Sequence, residues 1–106
     1  MNSFPLYSVL SENIPKKDLT IPEKTDFMKK IIELDVDGYE LIYALIKYYY
    51  IQDKGNAMSI PYKGTVLKNA VKFNLLDFPS QLKQILYKFI LMHRKKIEED
   101  KEKERL

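Results

Sequence analysis

The chain has 106 residues, 45% hydrophobic and 31% charged, with no cysteine and a single histidine, His93. That is one domain's worth; it excludes disulfides, thiol nucleophiles, Cys-based zinc sites and His-pair metal sites, and no apolar run approaches the roughly 20 residues of a membrane span. The net charge of +3 conceals three blocks: residues 1–53 carry −3, residues 54–96 carry +8 with Asp77 their only acid, and residues 97–106 carry −2.

Residues 1–19 hold two prolines and scattered apolar residues without a period, and read as an irregular arm. Phe4, Leu6, Tyr7, Val9 and Leu10 are too apolar for a purely solvated tail, so the arm is expected to pack on the domain. The first helix is predicted over 22–33. Thr20 is its N-cap, Pro22 sits where a missing N–H costs nothing, and Glu23 completes a capping box. Phe27, Ile31 and Leu34 recur at i, i+4 and i+7, one apolar face. Asp35 restarts the pattern as a second N-cap, with Asp37 suiting the positive end of the dipole. This helix is predicted over 36–52, closed by Asp53-Lys54-Gly55-Asn56. Between Tyr39 and Ile51 only Glu40 and Lys47 are charged. So narrow a polar stripe predicts a helix covered on most of its circumference, the central helix of the domain.

Gly55 to Gly64 reads as a loop with Pro61. Thr65-Val66-Leu67 and Val71-Lys72-Phe73-Asn74-Leu75 are β-favouring runs about a Lys68-Asn69-Ala70 turn, which predicts a hairpin. Val71, Phe73 and Leu75 alternate with Lys72 and Asn74, the period of a half-buried strand. A helical reading of 65–75 leaves Phe73 on the polar side, so the strand reading is preferred. The last helix is predicted over 79–96, with Leu82, Ile85, Leu86, Phe89, Ile90 and His93 on one face. Residues 97–106 mix acid and base and read as a charged helical tail with Ile97 as its last anchor.

The order helix, helix, short strand, helix carries specific residues. Glu23-Lys24, Phe27, Ile31, Leu34 and Tyr39, then Val71-Lys72-Phe73-Asn74-Leu75, then Phe78-Pro79-Ser80-Gln81-Leu82 follow one layout. This layout, over about residues 20–92, resembles the NET (extraterminal) domain of the bromodomain–extraterminal and YEATS-type chromatin proteins. The resemblance implies a mainly α, three-helix NET-like domain over 20–96 with a short strand or hairpin between helices two and three. It also implies a non-enzymatic adaptor in transcription or chromatin regulation that binds an extended peptide by strand addition. Val71, Phe73 and Leu75 would form the wall of its pocket, and Ile42 and Ile46 the floor. The family's strand is acidic at the intervening positions, where this chain has Lys72 and Asn74. The expected partner is therefore a peptide alternating apolar with acidic or neutral residues, not the family's lysine-rich one.

The alternative is a small basic nucleic-acid-associated protein, or a subunit of a larger assembly, viral for instance. Lys63, Lys68, Lys83, Lys88, Arg94, Lys95 and Lys96 are the residues that would line a phosphate-binding face. Tyr43, Tyr48, Tyr49 and Tyr50 would suit base stacking, but their helical placement favours packing at the core edge. His93 reads as a partly exposed helix-end residue, suited to the dipole when charged. No paired carboxylates and no phosphate loop emerge, so no catalytic residue, metal or cofactor is expected. The start of the chain lacks a basic, then apolar, secretory pattern. An intracellular location is expected, nuclear or, for a viral protein, a replication compartment or virion.

Overall fold

The structure, a computed structural model, describes residues 4–54, 62, 64–68 and 70–104. Its helices are α1 (Pro5–Ser11), α2 (Ile21–Ile31), α3 (Val36–Lys54) and α4 (Ser80–Glu104), with strands β1 (Thr65–Leu67) and β2 (Ala70–Lys72) between α3 and α4. A 3₁₀ turn, Leu75–Asp77, leads into α4. The fold is mainly α, and the count of three helices is corrected to four among the described residues. The extra helix lies in the segment expected to be irregular. Pro5 occupies its first turn, where the proline ring presets a helical φ. A seven-residue helix is too short to hold itself in water, so periodicity does not reveal it. Packing of Leu10, wholly buried against the core, supports it.

Local signals place α2 and α3 as expected. Thr20 Oγ1 accepts from the Glu23 N–H at 3.2 Å, and Glu23 Oε1 accepts from the Thr20 N–H at 2.9 Å, a complete capping box. Asp35 Oδ1 accepts from the Gly38 N–H at 2.7 Å and so caps α3. β1 and β2 form an antiparallel hairpin with Thr65 opposite Lys72 and Leu67 opposite Ala70. The expected run of strand to Leu75 is corrected: Asn74 Oδ1 accepts from the Leu76 N–H at 3.0 Å, which turns the chain into the 3₁₀ segment. Gly55, Asn56, Pro61 and Asn69, expected in the loop and the turn, lie outside the described residues.

The central helix is α4, not α3. It packs against α1, α2 and α3, and five consecutive residues, Leu82 to Leu86, are buried. Two of the five are polar. Lys83, 5% exposed, donates to Asp18 Oδ2 at 3.0 Å, and Gln84 donates to the Lys17 carbonyl at 2.9 Å. Lys88 Nζ donates to the Glu12 carbonyl at 3.0 Å. Residues 12–18 thus form a strap that satisfies the polar groups of α4 as it covers them. Burial of a paired ammonium and amide is tolerable where burial of bare ones is not.

Candidate functional site

Because α4 is sealed by the strap on one side, α3 is left to face outward on the other. Ile42 and Ile46 of α3 are buried with Phe27, Phe78 and Leu86 beneath a cleft of about 810 Å³. Tyr43 stands beside them, its ring 6.2 Å from that of Phe73. Val71, Phe73 and Leu75 line the hairpin side, and Met28, Ile31, Ile32 and Tyr39 line the α2–α3 corner. The five apolar residues expected to form wall and floor therefore line one space. The alternation persists beyond the strand itself: Val71, Phe73 and Leu75 are half-buried while Lys72 and Asn74 are exposed.

The two polar positions of the run behave differently. Lys72 is exposed and makes no hydrogen bond or ion pair among the described residues. Asn74, also exposed, accepts from the Leu76 N–H with its side-chain oxygen, which ends the strand. Among the described residues β2 pairs with β1 along one edge only. Glu40, absent from the expected site residues, is among the described residues the one charged group lining the cleft. Its signal in the sequence is its isolation, one of two charges in thirteen residues of α3.

Three of the seven residues expected on a basic surface are engaged by other groups of the chain. Lys83 is withdrawn into the Asp18 contact and Lys88 into the end of α1. Arg94 is bound to Glu33, 2.6 Å away. Lys68, Lys95 and Lys96 are exposed, the first on the hairpin turn and the others on α4, and Lys63 lies outside the described residues. Lys83 and Lys24 together hold the Asp18 carboxyl down to about 2. That shift reports a structural clamp.

His93 is not at a helix end. α4 continues beyond it to Glu104, its ring stacks on Phe89 at 5.2 Å, and Nε2 lies 3.1 Å from Asp35 Oδ1. The Asp35 carboxyl is held below the usual carboxylate range first by His93 and then by the Gly38 N–H. The tyrosines pack at the core edge, as expected. Tyr48 lies 4.6 Å from Tyr7 and 5.3 Å from Phe4, Tyr50 meets Tyr62 edge-on at 5.1 Å, and Tyr49 reaches Gln81 at 3.4 Å. They fasten α1 and the segment before β1 to α3, while Tyr43 lines the cleft with Tyr39. Burial pushes the hydroxyls of Tyr7 and Tyr49 up.

Among the described residues no cluster of His, Asp or Glu is arranged to hold a metal ion, and no helix is long and apolar enough to cross a membrane. No protein-family model, no curated protein and no solved structure matches the chain.

Proposed function

We propose that this chain is a non-enzymatic, NET-like adaptor that binds an extended partner peptide beside β2, in the service of transcription or chromatin regulation. The observation that carries the reading is the convergence of Ile42, Ile46, Val71, Phe73 and Leu75 on one apolar cleft next to a short strand with one paired edge. An added strand satisfies its own backbone on such an edge and directs alternate side chains to one side. Here that side is the cleft. Lys72, exposed between two cleft-lining residues, faces the intervening side chains of the added strand and favours acids there.

The test is a titration of two synthetic peptides, one alternating isoleucine with aspartate and one alternating isoleucine with lysine. Wild type is expected to prefer the first. A cross-strand charge pair is worth roughly 0.2–1 kcal/mol, so Lys72→Glu is expected to reverse the preference by a few-fold. Phe73→Ala is expected to weaken both peptides, since it removes cleft wall whatever the charge. Binding of neither peptide by wild type, or an unchanged preference in Lys72→Glu, refutes strand addition.

A further inference from the structure

The cleft extends past the strand. At the α2–α3 corner Met28, Ile32 and Tyr39 line it while staying largely open to solvent, Ile32 at 75% exposure. A peptide that only paired with β2 and filled the floor would leave this apolar corner bare. Glu40 projects from α3 into the same stretch of lining and makes no hydrogen bond or ion pair among the described residues. Tyr39, its neighbour, is fixed in place by a hydroxyl that donates to the Ile32 carbonyl at 3.3 Å. An unpaired carboxylate beside exposed apolar and aromatic surface is complementary to one kind of side chain. Lysine and arginine lay an aliphatic stem on apolar surface while the charged head reaches for solvent or a counter-charge, and an arginine head is also drawn to a tyrosine face.

We propose that Glu40 is a specificity-determining residue of the cleft, and that the partner peptide carries an arginine or lysine at one end of its apolar segment. The stem lies on Met28, Ile32 and Tyr39 and the head meets Glu40. This rests on the strand-addition reading and sharpens it: the partner is acidic where it passes Lys72 and basic where it passes Glu40. Two opposite charges at different parts of one site also fix the direction in which the added strand runs, because reversing the peptide carries its basic residue away from Glu40.

The test uses the full chain and synthetic peptides of the orders Arg-Asp-Ile-Asp-Ile-Asp-Ile and Ile-Asp-Ile-Asp-Ile-Asp-Arg, in which the arginine shares the cleft-facing parity of the isoleucines, each with a partner in which norleucine replaces arginine. Norleucine keeps a stem and removes the charge. One of the two arginine peptides is expected to bind more tightly than its norleucine partner by about three- to five-fold, the size of a partly exposed ion pair. Glu40→Gln, a change on an exposed helical position that keeps the fold, is expected to erase that difference. Glu40→Lys is expected to turn it into a preference for the norleucine form. Equal binding of arginine and norleucine peptides by wild type, with Phe73→Ala still weakening both, overturns the role of Glu40 and leaves strand addition standing. So does an arginine preference that survives in Glu40→Gln. Absence of saturable binding by all four peptides overturns strand addition, and the Glu40 inference falls with it.

Discussion

The two sides of α3 and α4 treat polar and apolar groups in opposite ways. On the strap side, polar groups are buried and answered: Lys83 by Asp18 and Gln84 by the Lys17 carbonyl, with the exposed Lys88 bonded to the end of α1. On the cleft side, apolar groups are exposed and unanswered: Ile32, Met28 and Tyr39 stand open to solvent, with Glu40 and Lys72 unpaired beside them among the described residues. Exposed apolar surface rimmed by charge marks an interaction site, whereas buried, fully paired polar groups mark a contact already made. The chain uses its own N-terminal segment to close one face of the bundle and leaves the other face open.

The largest effects should separate the faces by burial. Leu86, wholly buried, lies under both the core and the cleft floor, and Leu86→Ala is expected to cost about 2–5 kcal/mol through lost transfer energy and the cavity left behind. Phe73, half-buried on the open side, is expected to cost far less stability when cut to alanine, while losing peptide binding. Urea unfolding read alongside peptide titration checks the contrast. Equal destabilisation by the two would mean that the cleft wall is core.

The strap is tested next. Asp18→Ala leaves the Lys83 ammonium buried without its carboxylate and is expected to lower the melting temperature clearly. Lys83→Met removes charge and desolvation together, and is expected to be near neutral or stabilising. The double variant should resemble Lys83→Met. The same contact sets an acid limit. The Asp18 carboxyl is depressed from 3.8 to about 2 in the folded chain. A depressed carboxyl stabilises the fold above its unfolded value, and that stabilisation is lost as pH falls through the folded one. Stability should decline between about pH 4 and pH 2, with the Asp18 share of that decline missing in Asp18→Asn.

A smaller effect is expected at Gly38. Glycine to alanine inside a helix normally gains about 1 kcal/mol. Here a Cβ would sit 2.8 Å from Asp35 Oδ1, 3.0 Å from Leu34 Cδ2 and 3.2 Å from His93 Nε2. Gly38→Ala is therefore expected to lower the melting temperature, since it displaces the carboxylate that caps α3. The smallest effect is expected from truncation after Ile97. Residues 98–102 are all exposed and of mixed charge, and their removal should shift stability by no more than about 0.5 kcal/mol. A change in oligomeric mass on truncation would instead make the end of α4 an assembly contact.

Local chemistry by itself determined much of this fold. The Thr20–Glu23 box, the Asp35 cap, the Pro79-Ser80 entry to α4 and the period-2 run from Val71 to Leu75 each act within a few residues, so type and spacing suffice to place them. The cleft was legible only in part: alternation sends Val71, Phe73 and Leu75 to one side and Ile42 and Ile46 share a helix face at i, i+4, but that the two sets meet was implied by the resemblance alone. Only the tertiary structure decided which helix is central. By pattern, Lys83 and Gln84 give α4 a solvent face, and the long apolar stretch of α3 looks like the element to be covered. Asp18 and the Lys17 carbonyl reverse that, from some sixty-five residues away. A polar side chain reads as surface until its partner is known, and a partner so distant in sequence is supplied by folding alone. The seven-residue α1 is the same lesson in reverse, a helix too short to declare itself until Leu10 has a core to enter.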